Sequence, residues 1–201
     1  MSKKIAATPD ARLREVAGTN VRAVADRIVA TFKRATPANV EAGARWYCEG
    51  EQFIDALAAQ TGRSRESVAT VVAHLSPRTT WKRNLFGATM LLTTGEAPTC
   101  IGTNVDRARR SLLSDDPINT LNGPKTRRFA LNLLGDREAV TVDMWAAKIA
   151  LGHDDYEPVL TRAGAYDAIE HAYQVAARRI GVDPVTVQAT TWIVARNGRF
   201  L

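Results

Sequence analysis

Apolar residues recur along this chain at helical spacing and almost nowhere at strand spacing. Val68, Val71, Val72 and Leu75 fall at i, i+3, i+4 and i+7. Tyr166, Ile169, Tyr173, Ala176 and Ile180 share one helix face farther on. With 3.6 residues per turn, such positions form one stripe that neighbouring elements must cover. The best alternating run, Ala139 to Val142, is too short to build a sheet. The pattern predicts an all-α fold.

Helix starts and stops are also legible. Thr19 and Asn20 stand before Val21, Val24, Ile28 and Phe32 as caps for open amides. Thr36-Pro37 restarts a helix whose continuation carries Trp46, Tyr47, Phe53, Ile54 and Leu57. Ser64 opens the Val68 stripe and Pro77 closes it. Leu85 to Leu92 is a further apolar run, and Val105 to Leu113 a short helix rich in arginine. Asp183-Pro184 starts the last helix, with Val185, Ala189, Trp192 and Ile193 on one side. Residues 1–18 read as a flexible basic leader, and residues 19–201 as one helical unit of two lobes. Trp46, Trp81, Trp145 and Trp192 are expected in the core, and His74 packed on its own helix.

A chain of 201 residues with 45% hydrophobic content can bury a core without disulfides or metals. Its 27 Lys+Arg against 21 Asp+Glu give a net charge of +6. That surplus suits a polyanion, and equally a merely basic soluble protein. Cys48 and Cys100 read as reduced core thiols, and His74, His153 and His171 form no ligand pattern with them. No metal or other cofactor is expected. No apolar stretch reaches membrane-spanning length, so the expectation is a cytoplasmic monomer that meets no membrane.

Two stretches point to chemistry. In Leu121 to Phe129, Gly123 permits a tight turn with positive φ, and Pro124 suits a first helical position. Lys125, Arg127 and Arg128 surround that helix start with positive charge, either as a phosphate clamp or as a solvated basic face. In Val140 to Gly152, Asp143 stands at or just before the start of an apolar helix. A helix cap and a catalytic carboxylate are both open to it. The region of interest is 118–152.

Gly123-Pro124-Lys125-Thr126, then a helix, then Val140-Thr141-Val142-Asp143, resembles the helix-hairpin-helix DNA glycosylases. The endonuclease III and 8-oxoguanine glycosylase branches are the most similar. Ala73 to Thr80 resembles the segment that borders the flipped base, with Arg78 where a Gln often stands. Asn104-Val105-Asp106-Arg107-Ala108 is similar to the segment entering the helix before the hairpin. The resemblance implies a two-lobed helical fold, double-stranded DNA as partner, and cleavage of the N-glycosidic bond of a flipped, modified or damaged base. Asp143 would be the catalytic carboxylate. Lys125 would be either the nucleophile of an AP-lyase step, its pKa lowered by burial and by Arg127 and Arg128, or a charged phosphate contact in a monofunctional enzyme whose nucleophile is water. Gly123, Thr126, Arg127, Arg128, Arg78, Asn104 and Arg107 would contact DNA.

The chain departs from that pattern in Leu121 and Asn122, which replace a glycine and an apolar residue of the hairpin. It also has no His beside Asp143 and no iron–sulfur loop. Compact phage-encoded relatives, the alpha-glutamyl/putrescinyl thymine pyrophosphorylases, offer a second resemblance, which Gln188-Ala189-x-x-Trp192 shares. They imply an alternative, a transferase acting on hypermodified thymine in DNA. A non-catalytic DNA-binding relative is the third reading.

Overall fold

Side-chain caps set most of the helix starts. In the computed structural model, which describes residues 7–196, Thr8 caps α1 (Pro9–Ala17) and Asn20 caps α2 (Val21–Phe32). Thr36 and Asn39 cap each other reciprocally at the start of α3 (Pro37–Thr61). Ser64 caps α4 (Arg65–Leu75), and Thr80 caps α5 (Trp81–Thr94). α6 (Gly102–Ser111) and α7 (Pro124–Leu133) start without a side-chain cap. α8 (Met144–Leu151), α9 (Glu157–Leu160), α10 (Ala165–Ile180) and α11 (Pro184–Ala195) complete the chain. There is no strand among the described residues, so the fold is all-α. None of these helices is long and apolar enough to cross a membrane.

The chain divides into two units, with the division inside α3. One comprises residues up to Trp46 and from Arg137 onward; the other is Tyr47–Asp136. In the first, α10 is the central helix and packs on α1, α2 and α11. Ile169, Ala172, Tyr173 and Ala176 have no exposed surface, as the apolar stripe demands. Gly43 lets α3 meet α11, because a β-carbon there would overlap the Thr190 side chain and lie 2.8 Å from its backbone nitrogen. In the second unit α4 is central, with α5, α6 and α7 packed on it. Every residue from Val68 to Leu75 is buried, so α4 is covered on all sides and not along a stripe alone.

Three expectations are corrected. The flexible leader fails for Pro9–Ala17, which is a capped helix with Leu13 fully buried. The Asp10 carboxylate also accepts from the Val21 amide at 3.0 Å and ties α1 to the start of α2. Residues 1–6 of that leader lie outside the described residues. The cysteines are not core groups, since Cys48 is exposed and Cys100 half-buried. All four tryptophans are half-buried as well. Among the described residues the largest fully buried side chain is Tyr173, whose hydroxyl has a buried carbonyl to donate to.

Candidate functional site

Asp143 lies at the end of an unusual approach. Ala139, Val140, Thr141 and Val142 are all buried, yet they are neither helix nor paired strand. Buried backbone groups need partners, and here α10 side chains supply them. The Glu170 carboxylate accepts from the Val140 amide at 2.9 Å. The Tyr166 hydroxyl donates to the Val140 carbonyl at 2.9 Å and accepts from the Val142 amide at 2.8 Å. Gln174 donates to the Glu138 carbonyl at 3.0 Å. Tyr166, Glu170 and Gln174 recur at every fourth position of α10 and so clamp the segment as one row.

That clamp delivers Asp143 to the start of α8. Its backbone is extended, and its Oδ1 accepts from the Ala146 amide at 2.8 Å. Tyr173 holds the same turn from behind, donating to the Ala146 carbonyl at 3.1 Å. Burial pushes the Tyr173 hydroxyl far above the usual phenol range, and the Asp143 charge adds to that. The Asp143 charge reaches Arg196 and Tyr156, which belong to a cluster of aromatic rings and cations. Lys148 Nζ lies 5.4 Å from the Trp145 ring centre, and the Arg196 guanidinium carbon 5.6 Å from it. Arg196 also covers Trp192 at 4.7 Å, within cation–π range. Desolvation pulls the Arg196 pKa down, while the Asp143 charge pulls it back up. Asp143 is therefore a cap, as expected, and also a partly exposed carboxylate within an aromatic and cationic cluster.

The second unit holds the basic turn. Gly123 does not adopt positive φ; it sits extended at φ −109°, because Pro124 takes the first helical position directly. The Thr126 hydroxyl donates to the Gly123 carbonyl at 3.1 Å, so it closes the turn. Leu121, which stands where the resembled hairpin has glycine, is buried and anchors the turn in the core. A three-residue 3-10 turn, Ile118–Thr120, precedes it, so the expected hairpin has an α-helix on its downstream side alone. Lys125 is exposed, and the burial expected for it is not observed. Arg127 and Arg128 are half-buried. Lys125 and Asp143 belong to different units.

Arg78 follows α4 in an exposed loop and is the one non-glycine described residue with positive φ, at 59°. Such a backbone costs energy and persists where its surroundings impose it. Asn104 is among those surroundings. It is 6% exposed, and its amide donates to the Pro77 carbonyl at 3.4 Å. Asn104 thereby supports the loop that carries Arg78. Arg107 is exposed as expected. Arg109 is committed to the Gly95 carbonyl at 2.7 Å.

His74 is buried on α4, and its Nε2 is 3.1 Å from Thr120 Oγ1. The Thr120 hydroxyl donates to the Pro117 carbonyl at 2.6 Å, so the ring nitrogen is the donor to it. Burial, then the charges of Arg107 and Arg110, pull the His74 pKa from 6.5 down to about 4. The unfolded chain therefore binds the proton more readily between those values. Stability should be complete above pH 6.5 and decline as pH falls toward 4, by on the order of 2 kcal/mol between pH 7 and pH 5. Urea titrations at those two pH values check this, and His74→Gln should flatten the difference.

Among known proteins, a family model matches residues 10–199, nearly the whole chain. The chain belongs to the DUF7178 family. That family is described as one of unknown function. No curated protein and no solved structure matches the chain. Among the described residues of this DUF7178 member, no group of three His, Cys, Asp or Glu could hold a metal ion.

Sequence reasoning missed the α10 clamp and the Arg196 cluster. The clamp had a signal, since Glu170 is a carboxylate adjoining an apolar helix face, and a buried carboxylate requires a buried donor. Arg196 follows Trp192 by one helical turn, but its approach to Trp145 and its coupling to Asp143 had no signal, because those residues lie about fifty positions away.

Proposed function

We propose that this protein is a DNA glycosylase-type enzyme that acts in the cytoplasm as a monomer. It flips a modified or damaged base from double-stranded DNA and cleaves the N-glycosidic bond, with Asp143 as its catalytic carboxylate. The observation that carries this reading is the preorganised Asp143 carboxylate. The Ala146 amide and the clamped segment before it hold it in place at the surface of the first unit. Departure of the base leaves positive charge on the sugar, and a fixed carboxylate stabilises that charge without reorganising. Water then adds to C1′, the base leaves with the bonding electrons, and the water proton ends on the released base. Extrusion of the base costs about a few kcal/mol, least for a damaged or mispaired one.

An exposed Lys125 suits contact with a phosphate better than attack on the sugar, so the reading is of a monofunctional enzyme. Arg127 and Arg128 adjoin it at the start of α7, where helix amides also favour an anion. Duplex DNA binding should weaken steeply with salt, and Arg127→Glu should lower the slope of log K against log salt by roughly 0.9. Fluorescence anisotropy over a salt series measures this. Borohydride should trap no covalent complex with substrate DNA. Trapping that Lys125→Gln abolishes would overturn the monofunctional reading.

A further inference from the structure

The first unit carries an open groove of about 680 Å³ that runs from Trp145 and Lys148 of the aromatic and cationic cluster to α2. Arg27 and Arg34 line one side, from α2 and the turn after it; Trp145, Lys148, Gly152, His153 and Asp154 line the other. That volume lies within the range of sites for small molecules and cofactors, about 300–1,000 Å³. Three cations, Arg27, Arg34 and Lys148, face a single carboxylate here. The carboxylate, Asp154, is largely exposed and lies 3.0 Å from Lys148.

The cations are held in different ways. Arg27 donates to the Ala150 carbonyl at 3.1 Å and to Thr19 at 3.4 Å, which fixes it at the end of α8. Gly152, at φ +79°, admits it, since a β-carbon there would lie 3.1 Å from Arg27 Nε. Lys148 is flanked by the Trp145 and Tyr156 rings, at 5.4 and 5.8 Å, which direct its stem. Arg34 is exposed and has no acidic partner among the described residues. A guanidinium without a carboxylate keeps its planar fork of donors for a bidentate oxyanion.

We propose that this groove binds phosphate esters, with Arg34 and Lys148 as the primary contacts and Arg27 as a fixed background charge. Two successive phosphodiesters of a strand would balance the surplus positive charge, as would one phosphomonoester dianion. The strand as source rests on the proposed function; the monoester does not.

Arg34→Glu is the test, because an exposed, unpaired side chain can change sign without disturbing the core. Binding of duplex DNA by anisotropy and of thymidine 5′-monophosphate by calorimetry is compared for the parent, Arg34→Glu and Arg34→Lys. At least a fivefold loss of DNA affinity in Arg34→Glu, a salt slope shallower by roughly 0.9 and partial rescue by Arg34→Lys would identify a strand. Unchanged DNA binding with monophosphate binding lost in Arg34→Glu would identify a free monoester. Parent-like binding of both by Arg34→Glu, or no binding of either by the parent, overturns the proposal. A parent that binds the monophosphate and not DNA, with that binding lost in Arg34→Glu, removes the proposed function and leaves this groove standing; monophosphate binding retained by Arg34→Glu in that case overturns the groove.

Discussion

Asp143→Asn should lower base release a hundred- to thousandfold while the protein melts and binds DNA as the parent does. The two roles open to Asp143 make opposite forecasts for this substitution. As a cap, its Oδ1 accepts from the Ala146 amide at 2.8 Å, and an asparagine carbonyl does the same at little cost. As a catalytic group, it supplies a full negative charge that asparagine lacks. By analogy with oxyanion-hole deletions, losing such a charge costs about 3–4 kcal/mol of transition-state stabilisation. That is roughly a hundred- to thousandfold in rate. Single-turnover rates at saturating enzyme, beside a thermal melt and a binding curve, separate the roles.

Tyr166→Phe should destabilise the protein by about 2–6 kcal/mol, far more than loss of one hydroxyl from an exposed tyrosine. The hydroxyl serves two buried backbone groups, the Val140 carbonyl and the Val142 amide. Both residues are at most 1% exposed, so neither group has solvent to turn to. Each unpaired buried group costs about 1–3 kcal/mol. Tyr173→Phe removes the bond to the Ala146 carbonyl, which is itself a helix acceptor, and should cost roughly 1 kcal/mol. Urea unfolding of the two variants gives the comparison. Tyr166→Phe should also slow base release at temperatures where it remains folded, because the released segment ends on Asp143 and small misplacements of a reacting group are costly. Equal stability of Tyr166→Phe and the parent would mean that the segment is not held by this clamp.

Helices were legible where apolar spacing and caps agreed. The α10 face carrying Ile169, Tyr173 and Ala176 is the buried face, and Asn20, Ser64, Asp143 and Asp183 cap the helices that follow them. The helix over Pro9–Ala17 was obscured by its charge, although Thr8-Pro9 is a cap followed by a first-turn proline. Leu13 is its one fully buried side chain, with Val16 and Ala17 packed beside it on the same core. Gly123 misled because glycine permits positive φ without requiring it, and the following proline decided the backbone. The Asn104 bond to the Pro77 carbonyl, 27 residues away and without periodicity, is not legible in the sequence. Asp143 was found as the residue before an apolar helix. The side chains that hold it, Tyr166 and Glu170, come from a helix more than twenty residues later, which local patterns do not reach.

The central claim is that this chain breaks a glycosidic bond in DNA. Incubating the full chain with duplexes that carry varied damaged and modified bases, followed by mass spectrometry of the small-molecule fraction and of the digested DNA, tests it most directly. The account predicts a free base in solution and a matching abasic site in the strand, with both absent for Asp143→Asn. DNA that returns unaltered from every duplex, or a base that is chemically changed but still attached to its sugar, would contradict it.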